Sequence, residues 1–124
     1  MIGGRWAAKC VGALALMVLL AACGGGGGAV ADRTESLEGY TPEQIFERGE
    51  YELSKGRTDD GAYYFSEIER LYPYSSWAKR ALIMQAFSYH KGQDYENSRA
   101  AAQRYIDFYP TDEDAAYAQY LLAL

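Results

Sequence analysis

Cysteine, histidine and proline are scarce in this 124-residue sequence, which contains two cysteines, one histidine and three prolines. His90 has no second histidine and no cysteine close to it in the sequence, so we expect neither a metal site nor a nucleophile activated by histidine. We therefore predict no catalytic residue and no cofactor, and an enzyme is not expected. The few prolines, with 49% hydrophobic and 15% aromatic residues, indicate that most of the chain folds.

Basic residues are also few, with 12 Lys and Arg against 17 Asp and Glu and a formal net charge of −5. Proteins that bind nucleic acid neutralise phosphates with clustered Lys and Arg, whereas the basic residues of this sequence are scattered. We therefore expect no nucleic-acid partner. The length fits one small domain or a piece of a larger one.

The apolar run near the N-terminus is too short to span a bilayer. It extends over the 12 residues from Val11 to Ala22, whereas a transmembrane helix needs about 20 apolar residues. Arg5 and Lys9 precede the run, and this order of basic and apolar segments is typical of a secretory signal. We therefore predict that residues 1–22 are a signal peptide.

The residues that end this run indicate the type of signal. Leu20-Ala21-Ala22-Cys23 resembles the bacterial lipobox, in which the cysteine is lipidated. Cleavage would leave Cys23 as the first residue, carrying a diacylglycerol and a third acyl chain, and two or more long chains anchor a protein stably. Cys10 lies in the removed segment, so no internal disulfide is expected. The alternative is an ordinary signal peptide followed by an unmodified Cys23.

A glycine-rich segment follows the lipobox. Consecutive glycines occupy Gly24–Gly28, and the polar stretch after them has no sustained apolar periodicity. We predict that residues 23–40 are a lipidated cysteine and a flexible tether with a root-mean-square reach of about 20–25 Å. A phosphate-binding glycine loop would need a following Lys and Ser or Thr at a helix start, and neither follows here.

Capping and breaking residues divide the chain after the tether into short helices. Thr41-Pro42-Glu43-Gln44 has the pattern of a capping box, and Gly56 is expected to end the first helix in a left-handed conformation. Helix two is predicted to begin after a cap at Asp59 and to end at Leu71, before Pro73. Helix three is predicted to start at Ser75 or Ser76 and to end at Gly92, and helix four to start at Asp94 and to end before Pro110. Thr111–Asp114 is predicted to start helix five.

This part of the sequence repeats itself with a shift of 37 residues and no gap, so that small residues align with small ones and Tyr72-Pro73 aligns with Tyr109-Pro110. A single helix hairpin cannot bury its apolar face, so consecutive hairpins stack into a solenoid. We predict an all-α helix-hairpin solenoid of about two and a half repeats over residues 41–124. The alternative is a four-helix bundle with coincidental spacing. The small positions are Gly49, Gly61, Ala86 and Ser98, and the large residues of the seam are Ile45, Phe65, Ile68, Leu82 and Tyr105.

The repeats resemble the tetratricopeptide repeat, and together with the lipobox they resemble the BamD family of Gram-negative outer-membrane lipoproteins. The resemblance rests on the order of lipobox, tether and repeats and on the motifs Glu69–Tyr74 and Arg104–Pro110. It covers Cys23–Leu124, about the first half of such a protein.

The resemblance implies a scaffold, not an enzyme, on the periplasmic face of the outer membrane. Its partners would be unfolded outer-membrane barrel precursors, a BamA-like barrel assembly subunit and other assembly lipoproteins. Gly24 after the lipidated cysteine is compatible with sorting to that membrane. The alternative function is that of another tetratricopeptide envelope lipoprotein, an adaptor for cell-wall synthesis or hydrolysis.

The solenoid geometry also predicts where a partner would bind. The first helix of each hairpin lines the concave face of the stack, so its residues that point away from the partner helix are expected to face solvent. An extended chain with alternating aromatic residues could lie along an aromatic strip there. For each residue the alternative is ordinary core between repeats. The candidate partner-binding residues are Phe46, Glu50 and Leu53 of helix one, Ile83 and Phe87 of helix three, Tyr117 and Tyr120 of helix five, and Tyr72, which comes from the family motif at the repeat junction.

Three further expectations concern charged residues and the end of the sequence. Asp59-Asp60 and Asp112–Asp114 are predicted in first turns, where negative charge interacts favourably with the helix dipole. His90 is expected to be solvated at a helix end. Helix five is apolar and the sequence stops at Leu124 without a polar cap, which predicts a truncated sequence.

Overall fold

A computed structural model describes residues 35–124 of the chain. This part consists of helices and turns and contains no strand. The predicted signal peptide, Cys23 and most of the predicted tether lie outside the described residues. In chain order the helices are α1 (Pro42–Ser54), α2 (Thr58–Leu71), α3 (Ser76–Lys91), α4 (Tyr95–Phe108) and α5 (Ala115–Ala123).

The helices pack as successive hairpins. Each helix packs against the next one along the chain, and α1 also packs against α3, as α3 packs against α5. The backbones of the described α2 and α4 do not approach each other, and these helices are linked by the ion pair of Glu69 with Arg104 at 3.2 Å. The helices α1, α3 and α5 therefore form an inner layer, and α2 and α4 form an outer layer. Because the backbone of α1 approaches neither α4 nor α5 closely, the described helices do not close into a four-helix bundle. The prediction of an all-α solenoid is confirmed.

The backbone repeats with the period found in the sequence. Arg57, which precedes α2, has φ −87° and ψ 74°, and Asp94, which precedes α4, has φ −86° and ψ 74°. Tyr72 and Tyr109, which follow these helices, have φ −133° and −132° and ψ 53° and 56°. The same turn conformations therefore join the helices of both repeats, which confirms the shift of 37 residues.

Local caps start the helices as the sequence predicts at three of five positions. At α1 the Gln44 backbone N–H donates to Thr41 Oγ1 at 3.2 Å, and the Thr41 backbone N–H donates to Gln44 Oε1 at 2.9 Å, which completes the capping box. Ser75 and Asp94 accept in the same way at α3 and α4.

The predicted cap of α2 is wrong, and the end of α3 is as predicted. Asp59 does not cap α2, because the helix begins one residue earlier and Asp59 lies in its first turn, preceded by Arg57 without a side-chain cap. Gly92 ends α3 as predicted, with φ −80°, and the left-handed residue is the next one, Gln93, with φ 64°. In the first repeat a glycine, Gly56, stands at that position with φ 78°. The backbone repeats there, although the residue type does not.

Small residues allow the paired helices to approach, as predicted. A Cβ on Gly49 would lie 2.7 Å from Phe65 Cε1, and a Cβ on Gly61 would lie 3.2 Å from the Gly49 carbonyl oxygen. In the second repeat the Ser98 hydroxyl donates to the Ala86 carbonyl oxygen at 2.9 Å, which is the equivalent contact. The two hairpins therefore share one seam geometry, closed by van der Waals contact in one and by a hydrogen bond in the other.

The core extends further toward the N-terminus than the predicted repeat boundary at Thr41. Leu37 is 8% exposed and belongs to the first core cluster. The Tyr40 backbone N–H donates to the Leu37 carbonyl oxygen at 3.1 Å, and the Tyr40 hydroxyl donates to Glu35 Oε1 at 2.8 Å. The predicted flexible tether therefore does not include Leu37–Tyr40, because an apolar side chain anchors this segment on the repeats.

A concave groove on the inner helices

The inner layer carries an open groove at the point where α1, α3 and α5 meet. Its volume is about 390 Å³. Each inner helix contributes to it, which is what the stacking of hairpins imposes on the concave side. The lining residues are Phe46 and Glu50 from α1, Arg80, Ile83, Met84 and Phe87 from α3, Asp114 at the start of α5, and Tyr117 from α5.

Phe46 forms a rigid floor. Only 3% of its surface is exposed, and its ring centroid lies 5.1 Å from that of Phe65 behind it and 5.1 Å from that of Trp77 beside it. The Arg80 guanidinium covers both rings, at 4.9 Å from the Phe46 centroid and 4.8 Å from the Trp77 centroid. Tilted aromatic pairs and cation–π contacts of this kind fix the geometry of the floor.

Charged groups border the apolar floor. Glu50 and Asp114 contribute carboxylates, and Arg80 contributes a guanidinium. Within residues 35–124, no carboxylate oxygen lies within 4.0 Å of the Arg80 guanidinium. Arg80 therefore stacks on the floor while its N–H groups remain available to a carboxylate or a backbone carbonyl of a bound chain.

An aromatic wall continues the groove along α5. Tyr117 is 37% exposed, and its ring stacks on that of Tyr120 with centroids 6.3 Å apart and an interplanar angle of 28°. Partial burial and the neighbouring Tyr120 raise the pKa of the Tyr117 hydroxyl. The hydroxyl is therefore protonated at neutral pH and can donate a hydrogen bond.

The groove brings together most of the residues that the sequence singled out. Phe46, Glu50, Ile83, Phe87 and Tyr117 line it, although Phe46 is buried as its floor and was expected to face solvent. Tyr120 adjoins the groove through its ring contact with Tyr117 and does not line it.

Leu53 does not reach the groove, and the expectation that it faces solvent is wrong. It is 7% exposed and belongs to the first core cluster. Its Cβ lies 3.3 Å from the position that a Cβ on Gly61 would take. Because Gly61 has no side chain, Leu53 fills the space between α1 and α2.

Tyr72 lies at the junction of the repeats and performs a structural task there. Its ring packs against the first core cluster, and its hydroxyl donates to the Tyr40 carbonyl oxygen at 2.5 Å. This hydrogen bond joins the end of the first hairpin to the segment that precedes α1. Tyr72 is not among the residues that line the groove.

Three groove residues were not among the candidates, namely Arg80, Met84 and Asp114. The first two carry a signal that sequence reasoning can use, because Arg80, Ile83, Met84 and Phe87 follow the i, i+3, i+4, i+7 spacing of one helix face. Asp114 carries no such signal, since it precedes α5 and its place depends on how α5 packs.

Comparison with known proteins agrees with this architecture. The family model described as YfiO, outer membrane lipoprotein, matches residues 38–124. The chain belongs to the YfiO family. Similar proteins include three named outer membrane protein assembly factor BamD: that of Caulobacter vibrioides is 31% identical over 111 residues, that of Xylella fastidiosa strain 9a5c is 24% identical over 111 residues, and that of Pasteurella multocida is 23% identical over 91 residues.

The match covers the N-terminal portion of these YfiO-family relatives. It takes in 90%, 90% and 73% of this chain but 36%, 36% and 35% of the Caulobacter, Xylella and Pasteurella proteins. The chain thus spans about a third of the length of the relatives it matches, less than the half expected from the resemblance. No helix among residues 35–124 has the length and apolar character needed to cross a membrane.

A partly buried polar network positions α5 in this member of the YfiO family. Asp112 accepts from Lys79 Nζ at 2.5 Å, from the Tyr105 hydroxyl at 2.5 Å and from the Asp114 backbone N–H at 3.2 Å. These hydrogen bonds, led by that from Lys79, lower the pKa of Asp112 to about 2. Asp112 was expected in a first helical turn, whereas α5 begins only at Ala115. Its carboxylate instead ties α3, α4 and the start of α5 together.

His90 differs from its expected environment. It is half-buried, its ring centroid lies 5.4 Å from that of Tyr95, and its Nδ1 is buried with no hydrogen-bond partner among the described residues. The expected solvated histidine is therefore only partly solvated, because Tyr95 of α4 packs over its ring. The described part of the chain contains no group of three His, Cys, Asp or Glu side chains placed to hold a metal ion.

Proposed function

We propose that this chain is the N-terminal portion of a component of the machinery that assembles proteins into the outer membrane, and that its groove binds extended segments of unfolded barrel precursors. Membership of the YfiO family and relatives named outer membrane protein assembly factor support the first part. They also favour this function over the alternative of an adaptor for cell-wall synthesis or hydrolysis. The observation that carries the second part is the apolar, aromatic groove on the inner helices.

The groove suits a segment with alternating side chains. Strands of outer-membrane barrels alternate apolar and polar residues with a period of two, and many carry aromatic residues near the membrane interface. A chain lying in the groove would place every second side chain on Phe46 and Phe87 and turn the others to solvent. The Arg80 guanidinium and the Tyr117 hydroxyl would donate hydrogen bonds to its backbone carbonyls or its terminal carboxylate.

Binding by such a groove requires no chemistry on the substrate, so the proposed activity is that of a scaffold. The proposed anchor is the lipidated Cys23, which would hold the repeats at the periplasmic face of the outer membrane. A BamA-like barrel subunit and other assembly lipoproteins are the proposed partners. Mass analysis of the processed chain tests the anchor, because an unmodified Cys23 thiol would contradict it.

The groove is tested by the binding of a fluorescent peptide with the sequence of a C-terminal barrel strand to the full chain carrying Cys23→Ser. Tyr117→Ala should weaken binding about fivefold, since the loss of a half-buried aromatic side chain costs about 1 kcal/mol. Tyr74→Ala is the matched control, because Tyr74 is fully exposed in the turn before α3 and lies outside the groove.

The expected result is weaker binding for Tyr117→Ala alone. Equal affinities for the two variants would refute the groove as the binding site. A peptide of the same composition with the alternation scrambled should bind less tightly, because its aromatic side chains would point to both faces of the strand. Co-purification of the tagged chain with cell-wall enzymes in place of a barrel subunit would favour the alternative function.

A further inference from the structure

A second surface of the first hairpin concentrates positive charge around one tyrosine. We call this surface the basic patch. It consists of Arg48, Tyr51 and Lys55 on α1 and Arg57 at the start of α2. The Tyr51 ring centroid lies 5.9 Å from Arg48 Cζ, 5.4 Å from Lys55 Nζ and 5.9 Å from Arg57 Cζ. Three cations thus surround a single exposed ring.

One buried carboxylate orders this arrangement without neutralising it. Glu52, whose side chain is 3% exposed, accepts a hydrogen bond from Arg57 Nε at 2.5 Å, and its other carboxylate oxygen forms an ion pair with Arg48 Nε at 3.2 Å. The exposed Glu47 borders the patch on α1. Three cations against the carboxylates of Glu52 and Glu47 leave a net charge of about +1 on this surface, on a chain whose formal net charge is −5. The positive charge is therefore a local feature of the first hairpin.

The patch is exposed and held in place from below. The Arg48 side chain is 58% exposed and Tyr51 is 51% exposed. Beneath them, Arg48 Cζ lies 5.8 Å from the ring centroid of Tyr64, which is only 5% exposed. Arg48, Tyr51 and Lys55 follow the i, i+3, i+7 spacing of one helix face, and none of them lines the groove.

The start of the described chain lies next to this patch. Glu35, Leu37 and Tyr40 line a small cleft of about 100 Å³ together with Arg48 and Tyr64. The residues that connect Glu35 to Cys23 therefore join the repeats at the edge of the patch. Covalent geometry limits these 12 steps to a span of about 43 Å.

We propose that the basic patch binds the phosphate headgroups of an anionic phospholipid bilayer and so sets the orientation of the repeats on the membrane. Lys and Arg supply the charge that such headgroups attract, and exposed tyrosines such as Tyr51 and Tyr40 favour the interface between water and lipid. This inference adds a second membrane contact to the proposed function and relies on it for the anchor at Cys23, which brings the patch to the bilayer.

The proposal is tested by sedimentation of the full chain carrying Cys23→Ser with vesicles of phosphatidylcholine, with and without roughly one-third phosphatidylglycerol. The measured quantity is the ratio of binding to anionic over neutral vesicles, because the unchanged N-terminal segment contributes equally in every variant. Lys55→Gln should lower this ratio about fivefold, since a basic residue near an anionic surface contributes about 1 kcal/mol. Arg48→Gln added to it should lower the ratio further, and Arg57 then still pairs with Glu52.

Lys91→Gln is the matched control. It removes the same charge from the end of α3, on the second hairpin, and should leave the ratio unchanged. Equal losses in the two variants, or no preference of the parent chain for anionic vesicles, would overturn the proposal. Competition by millimolar inorganic phosphate would also overturn it, because the site would then bind free phosphate. Peptide binding in the groove should be unaffected by Lys55→Gln, so failure of this proposal is distinguishable from failure of the proposed function.

Discussion

Replacing Gly49 by alanine tests how the first hairpin is closed. A Cβ at this position would lie 2.7 Å from Phe65 Cε1 and 3.0 Å from Phe65 Cδ1 and Cζ. These distances are well inside van der Waals contact, and the Phe65 ring is fully buried against Phe46. Overpacking of this kind costs about 1–3 kcal/mol, whereas alanine in place of glycine inside a helix gains about 1 kcal/mol. We expect a net loss of up to about 2 kcal/mol.

The second hairpin shows how the same seam accommodates a methyl group. The shift of 37 residues aligns Gly49 with Ala86 and Phe65 with Ala102. A large ring therefore faces glycine in one repeat, while alanine faces alanine in the other. Ala86 and Ala102 are both fully buried. The combined volume of the two facing side chains therefore decides whether a pair fits the seam, and the size of the smaller residue alone does not.

The assay is chemical denaturation of the full chain, followed by circular dichroism, for four proteins that form a double-mutant cycle. Phe65→Val removes all three ring atoms that the new Cβ would meet. In that background Gly49→Ala should change sign and stabilise the fold by about 1 kcal/mol, because only the gain in helix propensity remains. Destabilisation of the same size in both backgrounds would show that Phe65 does not require the glycine, and would refute this reasoning.

Two further predictions concern pH and backbone conformation. The pKa of Asp112 is lowered from 3.8 to about 2. Its contribution to stability is therefore complete above about pH 5 and is lost as the pH falls toward 2. Asp112→Asn should lower the melting temperature at neutral pH and reduce the dependence of the melting temperature on acid pH. Gln93→Gly should raise the free energy of unfolding by about 1 kcal/mol, because Gln93 has φ 64°. Gly56→Ala should lower the free energy of unfolding by a similar amount, because Gly56 has φ 78°. Denaturation midpoints that move in the opposite directions would contradict both expectations.

Much of the fold follows from short-range signals in the sequence. The capping box at Thr41, the caps at Ser75 and Asp94, and the tyrosine-proline pairs fix the helix boundaries within a few residues, and the shift of 37 residues fixes how the hairpins stack. Stacking in turn places the first helices on the concave side. This is why five of the eight candidate residues line one groove, although no single one of them carries a distinctive motif.

The errors arise where a partner residue decides the outcome. Leu53 belongs to an apolar pattern that fits either face, and it turns into the core because Gly61 leaves room for it. Arg80 was not among the candidates, and in the structure this exposed residue stacks on Phe46 and Trp77. In both cases the determining contact joins two different helices, and the residues of one helix do not specify it.

The first helix connects the two proposed activities geometrically. With about 100° per residue, Phe46 and Tyr51 point about 140° apart around α1, so the groove and the basic patch occupy nearly opposite sides of one rigid element. If the patch rests on anionic headgroups, the groove opens away from the bilayer and stays accessible to a chain arriving from the aqueous side. The ion pairs of the buried Glu52 with Arg48 and Arg57 fix the position of the patch on the helix. Orientation on the membrane and access to the groove therefore depend on the same helix, and loss of the patch should alter how the groove is presented without altering its affinity for a free peptide.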